Sequence, residues 1–110
     1  MNELKDITTM LTKFRDDRDW KQFHNPKDLS IALSIESSEL AQEFLWKEHD
    51  NADKDKVKDE LADVFSYAFY LAEYYNLDIK QIIKDKIEKN EVKYPVEKSK
   101  GNAKKYNELK

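Results

Sequence analysis

The sequence predicts an all-α protein, a bundle of four amphipathic helices, from its composition and from the spacing of its apolar residues. Charged residues make up 39% of the 110 residues, and the chain contains one glycine and two prolines. This composition suits long helices with solvated faces and leaves few residues for the turns of a β-sandwich or barrel. Apolar residues recur at intervals of three and four, as on a helix with one buried face. We therefore expect a single domain over residues 1–110, with a lysine-rich tail at residues 95–110.

The first two helices follow from this periodicity and from turn signals. The first, over about residues 2–18, is defined by the apolar side chains of Leu4, Ile7, Leu11 and Phe14. A loop rich in aromatic rings follows at residues 19–25. Asn25 and Pro26 suit the cap and the first position of a second helix, which we expect to run to about Lys47.

The third and fourth helices occupy the second half of the chain. The third is predicted from about Lys54 to Tyr75 and is apolar around more than half of its circumference, which favours association with another subunit. Asp78 with Gln81 three residues later resembles a capping box and begins the fourth helix. Proline after Tyr94 ends that helix, because the residue before proline avoids the α region.

Composition also excludes several classes of protein. The chain has no cysteine, so any metal must be bound by oxygen ligands or by its two histidines, His24 and His49. No stretch approaches the roughly 20 apolar residues of a membrane span, and we expect a cytoplasmic protein with no membrane partner. The net charge of −3 gives no general affinity for a nucleic acid polymer. Residues 84–105 carry eight lysines against four acidic residues, which indicates either a solvated face or a contact with phosphate.

Two acidic pairs lie inside apolar helical stretches. Glu36 and Glu39 form the first pair, and Glu60 and Asp63 form the second. Residues three apart share one helix face, so each pair presents two carboxylates side by side. The stripe of Glu36 is otherwise apolar, with Leu29, Ala32, Leu33 and Leu40. Two bare carboxylates about 4 Å apart repel by roughly 4 kcal/mol at an effective dielectric of about 20, and burial adds a desolvation cost.

Two interpretations of these pairs remain open from the residues alone. The four acids are either partly exposed and paired with lysines of neighbouring turns, or they converge from two helices on a divalent cation. Oxygen ligands favour Mg²⁺, with Mn²⁺ as a possible substitute, and Mg²⁺ bound by few carboxylates completes its shell with water and substrate phosphates. A helical di-iron site is disfavoured, because neither His24 nor His49 stands three residues after a glutamate.

Specific motifs surround the acidic pairs on both sides. They are RDWKQFH at residues 18–24, ESSEL at 36–40, FLW at 44–46 and ELADV at 60–64, followed by Tyr67, Lys86, Asn90 and Tyr94-Pro95. This set resembles the MazG-like all-α nucleotide pyrophosphohydrolases, in particular their dCTP pyrophosphatase-type branch, and the resemblance spans nearly the whole chain. It implies a four-helix MazG-like bundle that assembles into a larger oligomeric helical core, a homotetramer built as a dimer of dimers.

The resemblance also implies an activity and a set of site residues. The activity is metal-dependent cleavage of a deoxynucleoside triphosphate, dCTP or a modified dCTP, into the monophosphate and pyrophosphate. The implied metal ligands and catalytic residues are Glu36, Glu39, Glu60 and Asp63. The implied substrate contacts are Trp20, His24, Trp46 and Tyr67 for the nucleoside, with Phe23 added from its place among these rings, and Lys86 and Asn90 near the phosphates.

The resemblance leaves open the roles of some residues and two alternative functions. We expect Glu39 to activate water. Glu43, seven residues after Glu36, either supports the metal ligands, replaces one of them, or is a solvated residue of the helix face. Leu11 stands where some mammalian-type members have a histidine near the substrate, so the resemblance does not imply a base contact from the first helix. A non-catalytic Mg²⁺-nucleotide-binding regulator of the same fold is the alternative function. A helical interaction module with carboxylates only on its surface is a third.

Overall fold

The computed structural model describes residues 2–109, and these residues form helices and no strands. The all-α prediction is confirmed, with the four predicted helices and a short fifth one. Their bounds are α1 Glu3–Asp17, α2 Pro26–Gln42, α3 Lys54–Tyr74, α4 Ile79–Lys93 and α5 Val96–Ser99, with 3₁₀ turns at Lys21–Phe23 and Tyr106–Glu108. The fold divides into two compact units between Leu77 and Asp78. The expected single domain over residues 1–110 remains a prediction.

Helix α1 packs on α3 through a face that differs from the predicted stripe. Leu4 and Leu11 are half-buried as expected, but Ile7 and Phe14 are exposed. Arg15, four residues after Leu11 and therefore on the same face, is almost completely buried. The Tyr70 hydroxyl of α3 donates a hydrogen bond of 2.8 Å to the Leu11 carbonyl, which joins the two helices.

Helix α2 begins as the sequence predicts and ends five residues early. The Asn25 side chain accepts a hydrogen bond from the Asp28 amide, and Pro26 occupies the first turn. Leu29 is the most deeply buried apolar residue of the first unit, residues 1–77, at 2% exposure. The predicted end at Lys47 is wrong, because residues 43–47 form successive tight turns that close hydrogen bonds three residues apart. Trp46 in this segment has a φ of 62°, which no α-helix accommodates.

Helix α3 packs mainly against α2 and supplies most of the remaining core of the first unit, residues 1–77. The Asp53 side chain caps it by accepting hydrogen bonds from the Asp55 and Lys56 amides. Tyr70 and Ala72 are buried. The helix ends at Tyr74, one residue before the predicted end, and Asn76 then reverses the chain with a φ of 53°. No helix among the described residues is long and apolar enough to cross a membrane.

The second unit contains α4, α5 and the lysine-rich segment. The Asp78 side chain accepts a hydrogen bond from the Gln81 amide, whereas the Gln81 side chain donates to Asp85, so half of the predicted capping box forms. Helix α4 ends before Tyr94-Pro95 as predicted. Tyr106 packs edge-on against Tyr94, with ring centroids 6.2 Å apart, and the Lys93 ammonium lies 4.9 Å from the Tyr106 ring. The described part of residues 95–110 therefore contains local structure.

Candidate functional site

Three carboxylates from two helices converge on one point of the first unit. Glu36 belongs to α2, and Glu60 and Asp63 belong to α3. One oxygen atom from each side chain can be chosen so that all three lie within 4.8 Å of one another. The predicted convergence of the two acidic helix faces is therefore observed for these three residues.

Glu39 and Glu43 lie beside this acidic cluster of Glu36, Glu60 and Asp63. The Glu39 carboxyl is within hydrogen-bonding reach of both Glu36 and Glu60. Glu43 follows one turn later at the end of α2, and its negative charge contributes to raising the pKa of Glu60. The last turn of α2 and the residue that follows the helix thus add negative charge to the cluster.

One oxygen atom of Glu36 and one of Glu60 find no hydrogen-bond partner among the described residues. These two atoms, Glu36 Oε2 and Glu60 Oε2, are buried. Burial, followed by the hydrogen bond and charge of Glu39, raises the pKa of Glu36 to about 7. Burial, followed by the charge of Glu39, also raises the pKa of Glu60. The fold therefore keeps carboxylates together at a cost that protonation or a bound cation relieves.

Pairing with lysine does not account for these acids. The ion pairs found within residues 2–109 involve Lys13 and Arg15, and none of them includes a member of the cluster or Glu39. The donor set is instead made of carboxylate oxygens, two of them buried with free lone pairs. Oxygen-only ligands of this kind suit a hard divalent cation such as Mg²⁺, so the residues fit the metal that the sequence implies.

A cleft of about 320 Å³ opens between the start of α2, the preceding 3₁₀ turn and α3. Four of the residues predicted to contact substrate line it, and three further residues complete its walls. The predicted residues are Trp20, Phe23, His24 and Tyr67, and the additional ones are Asp28, Leu29 and Ala32. The cleft therefore combines aromatic rings with a few polar groups, as small-molecule sites commonly do.

Tyr67 places the cleft next to the acidic cluster. It lines the cleft and stands one helical turn after Asp63 on α3. Burial raises the pKa of Tyr67, and the negative charges of Glu36, Asp63 and Glu39 raise it further. Since charges act on Tyr67 from the cluster while its ring borders the cleft, a ligand in the cleft lies near the cluster.

The end of α1 positions Trp20 at the cleft. Asp19 adopts a φ of 56°, which reverses the chain, and the Trp20 amide donates a hydrogen bond to the Arg15 carbonyl. The Trp20 ring packs edge-on against Phe14, with centroids 5.7 Å apart, while the Arg18 guanidinium stacks on Phe14. Trp20 is nevertheless half-exposed, so part of its ring is available to a ligand.

Three predicted substrate contacts are not among the residues that line this cleft. Trp46 lies in the connection between α2 and α3, is 93% exposed and is absent from the cleft wall. Lys86 and Asn90 belong to α4 in the second unit. Their roles remain predictions.

Sequence reasoning missed Arg15, Asp28 and Tyr70. Arg15 continues the spacing of Leu4 and Leu11, so a charged residue on a buried stripe was the available signal. Tyr70 stands three residues after Tyr67 and shares its helix face. Asp28 pairs with the side chain of the predicted cap Asn25 at 2.7 Å, which a preference for acidic residues in a first turn could have indicated.

An all-helical unit that gathers carboxylates from two helices beside an aromatic cleft has the arrangement expected of a helical protein that binds a divalent cation and a small ligand side by side. Residues 31–109 match the MazG-like family, and the chain belongs to that family. The resemblance that the sequence motifs indicated is thereby confirmed.

Relatives of known name agree with this assignment. The chain is similar to dCTP pyrophosphatase 1 of Mus musculus, with 36% identity over 96% of this chain and 67% of the relative. The protein of the same name from Homo sapiens is 32% identical over the same shares. Among solved structures, a pyrophosphatase from Archaeoglobus fulgidus superposes with a TM-score of 0.81 at 34% identity, covering 86% of this chain and 94% of that one.

Proposed function

We propose that this chain, a nucleoside triphosphate diphosphatase of the MazG-like family, uses Mg²⁺ to cleave dCTP or a modified dCTP. The products are the nucleoside monophosphate and pyrophosphate, and Mn²⁺ substitutes for Mg²⁺. Such an enzyme cleans or regulates the nucleotide pool. The similarity to proteins named dCTP pyrophosphatase 1 supports the choice of dCTP.

One observation carries the proposal: the acidic cluster and the aromatic cleft adjoin each other through Tyr67. A deoxynucleoside triphosphate has a flat base at one end and a polyanion at the other. Aromatic rings stack on a base and contribute about 1–3 kcal/mol per base. Carboxylates repel the polyanion unless a cation lies between them, so an acidic cluster beside a stacking cleft suits a metal-complexed nucleotide.

The reaction assigns a task to the charged groups of α2 and α3. When bound, Mg²⁺ supplies positive charge that neutralises the triphosphate and polarises the α-phosphorus. Glu36, Glu39, Glu60 and Asp63 are proposed to hold this ion, and oxygens of Glu36, Glu60 and Asp63 lie within 4.8 Å of one another. Glu39 is proposed to orient a water molecule and accept its proton as the water oxygen attacks the α-phosphorus. The bond from that phosphorus to the α–β bridging oxygen breaks, and pyrophosphate leaves with the electron pair.

Binding of the nucleoside and the phosphates is proposed for separate groups. Trp20, Phe23, His24 and Tyr67 contact the nucleoside in the cleft. Trp46 reaches the nucleotide from the exposed connection, of its own chain or of a neighbouring subunit. Lys86, with Asn90 one turn later, contacts the β- or γ-phosphate, because an ammonium group neutralises phosphate charge.

A homo-oligomer, built as a dimer of dimers, is part of the proposal. Large apolar side chains are exposed on both helices that bear the acidic cluster, including Ile31 and Ile35 on α2 and Leu61 and Phe65 on α3. The lysine-rich segment after Tyr94 is proposed to cover a neighbouring subunit's site. A cytoplasmic location stays a prediction.

The test is a product assay with purified full-length protein, Mg²⁺ and a panel of dCTP, 5-methyl-dCTP, dTTP, dATP and dGTP. We expect monophosphate and pyrophosphate, with kcat/KM highest for the two cytosine nucleotides. Release of a diphosphate and orthophosphate would contradict the proposed bond, and equal rates across the panel would contradict the proposed base preference. Metal-dependent binding of dCTP without pyrophosphate release would instead support the regulator.

Substitution of the acids tests their separate tasks. We expect Glu39→Gln to lower kcat at least about a hundredfold, the scale of a lost general base, while Mg²⁺-dependent binding of dCTP persists. Glu60→Gln should weaken Mg²⁺ binding itself, because it removes a ligand charge. The matched control is Glu91→Gln on the exposed surface of α4, which should leave both properties unchanged. Normal turnover by Glu39→Gln would remove its role as base.

A further inference from the structure

His24 lies between the cleft and a buried ionic group that the proposed reaction does not use. Its ring lines the cleft and packs edge-on against Tyr70, with centroids 4.7 Å apart. Tyr70 is itself fixed, because its hydroxyl donates to the Leu11 carbonyl. The Arg15 guanidinium carbon lies 5.8 Å from the centroid of the Tyr70 ring. Arg15, Tyr70 and His24 therefore form a packed series from α1 to the cleft.

Arg15 is an unusual anchor for such a series, since it is 3% exposed. A buried charge persists only when it is paired and hydrogen-bonded. Its Nη1 donates to Glu73 Oε2 at 3.0 Å, and its Nε donates to Asp16 Oδ1 at 2.8 Å. These two partners hold the guanidinium in one place behind Tyr70.

The surroundings of His24 determine which of its ring nitrogens carries the proton. Nδ1 is buried and has no hydrogen-bond partner within residues 2–109. A proton on Nδ1 would be an unpaired buried donor, which is unfavourable. An unpaired acceptor is easier to bury than an unpaired N–H donor, so we assign the proton of the neutral ring to Nε2, in a ring that itself lines the cleft.

Electrostatics favour the same neutral state. Burial lowers the pKa of His24, and the positive charge of Arg15 lowers it further, while Glu73 and Asp16 act in the opposite direction with smaller effects. The titratable and charged groups around the ring come from three elements. They are Arg15 and Asp16 of α1, Asp28 of α2 across the cleft, and Tyr67, Tyr70 and Glu73 of α3.

We propose that Arg15 is a positioning residue for the nucleotide. Arg15 acts through Tyr70 and holds His24 as a neutral imidazole. The Nε2–H of this imidazole donates a hydrogen bond to a neutral oxygen of the nucleoside. A base carbonyl and a sugar oxygen are both such acceptors. A phosphate is negatively charged and would favour the imidazolium form of His24. A neutral His24 is therefore expected to contact the nucleoside part of the ligand and not its phosphates. The inference rests on the proposed function, because it takes a nucleotide as the occupant of the cleft.

Nuclear magnetic resonance tests the protonation state without nucleotide. Long-range ¹H–¹⁵N spectra of the full-length protein report the tautomer of each imidazole, and His49→Gln identifies the signals of His24. We expect a neutral Nε2–H tautomer at neutral pH and a pKa below the ordinary histidine value. An Nδ1–H tautomer or an imidazolium at neutral pH would overturn the inference, whether or not dCTP is the substrate.

Variants of the Arg15–Glu73 pair test the role of Arg15. Arg15→Gln should raise the pKa of His24, and Glu73→Gln should lower it, because the two side chains carry opposite charges. Arg15→Lys keeps the charge and should leave the pKa close to that of the parent protein. Simple loss of packing would not produce opposite shifts, so shifts in one direction only, or none, would overturn the role. If Arg15→Gln does not fold, Glu73→Gln and Arg15→Lys still decide the question.

Kinetics test the direction of the hydrogen bond. The amide nitrogen of glutamine reaches the position of Nε2, whereas that of asparagine reaches only the position of Nδ1. We expect His24→Gln to keep KM for dCTP within about threefold and His24→Asn to raise it about tenfold, with kcat changed less, since a lost hydrogen bond of this kind is worth about that factor. Arg15→Gln should also raise KM more than it lowers kcat, and His49→Gln should change neither. The reverse order of the two His24 variants would overturn the donor assignment.

Inhibition by monophosphates separates the two acceptors. If His24→Asn weakens inhibition by dCMP and not by dAMP, the acceptor is the base carbonyl, which adenine lacks. If it weakens both equally, the acceptor is a sugar oxygen. Unchanged inhibition by both would overturn the contact with the nucleoside.

Discussion

Glu36 shows how one carboxylate can affect both stability and metal binding. Its Oε2 is buried without a partner, and burial and the neighbouring Glu39 raise its pKa to about 7. An ordinary glutamate is ionised well below neutral pH. Glu36 therefore folds most favourably with a proton, and a cation that replaces this proton recovers the lost stability at neutral and higher pH.

The stability of the metal-free protein should therefore fall as pH rises. Because the pKa of Glu36 is raised in the folded state, the folded protein binds more protons than the unfolded chain between the ordinary glutamate value and about 7. The stabilisation is complete below this window and is lost as pH rises through it, and the raised pKa of Glu60 acts in the same direction. In urea denaturation with EDTA, we expect Glu36→Gln to lose less stability than the parent protein between about pH 5 and about pH 8.

Mg²⁺ provides the control for this comparison. At the higher pH it should restore stability to the parent protein and have a smaller effect on Glu36→Gln, since the variant lacks one ligand charge. The exposed substitution Glu91→Gln should behave like the parent protein. A stability that rises with pH across the same window would contradict the assignment of Glu36 as an unpaired buried acid.

At the scale of elements, local signals predicted where helices begin. Asn25, Asp53 and Asp78 each cap a helix through a side-chain oxygen, and each lies at a predicted helix start or within a residue of one. The convergence of the carboxylates was also predictable from their spacing. Each of the two packed helices carries a pair of acids three residues apart, and few arrangements of the helices keep the two pairs separate. These features depend on residues that are close together along the chain, so they can be predicted from the sequence alone.

Features that depend on backbone reversals or tertiary partners were not predictable in this way. Residues 43–47 lack proline and glycine, so nothing local indicated that α2 ends at Gln42. The burial of Arg15 depends on Glu73, 58 residues later, and no periodicity within α1 reveals that partner. Phe14 fits the apolar stripe of α1 and is nevertheless exposed. Its ring contacts Arg18 and Trp20, which no periodicity within α1 predicts.

Trp46 combines backbone strain with exposure, which supports a role for the connection in ligand binding. A left-handed conformation costs a non-glycine residue about 1–2 kcal/mol, and the exposed ring recovers little of this through packing. We expect Trp46→Gly and Trp46→Asn to leave the free energy of unfolding unchanged or raise it by up to about 1 kcal/mol. The same substitutions should raise KM for dCTP about tenfold, on the scale of one lost stacking contact.

Thermal unfolding and steady-state kinetics on the same samples check both parts of this prediction. Asn76→Gly is the matched control, since Asn76 has a similar φ of 53° outside the connection and should affect neither measurement. A large loss of stability in Trp46→Asn would mean that the ring packs within the fold. An unchanged KM in a stable variant would remove Trp46 from the substrate site.

At the scale of the whole molecule, α3 has two chemically different faces. One face presents Glu60 and Asp63 to the acidic cluster. Leu61 and Phe65, four residues apart, lie on a different face and are 39% and 56% exposed. On α2, Ile31 and Ile35 repeat this spacing and are also exposed. Exposed apolar side chains paired in this way on two packed helices mark an interaction surface, and a second copy of the chain is the proposed partner.

Phe65→Asp should therefore dissociate the proposed oligomer. The substitution places a charge among apolar side chains that another subunit buries, and burying an unpaired charge is strongly unfavourable. Lys56→Asp introduces the same carboxylate nine residues earlier, on the opposite side of α3, and serves as the control. By light scattering coupled to gel filtration, we expect the parent protein and Lys56→Asp at a multiple of the 13.1 kDa chain mass, and Phe65→Asp at a smaller multiple. Circular dichroism would show that the variant remains helical.

A monomeric parent protein at micromolar concentration would contradict the proposed assembly. An unchanged mass in folded Phe65→Asp would place the subunit interface on another surface.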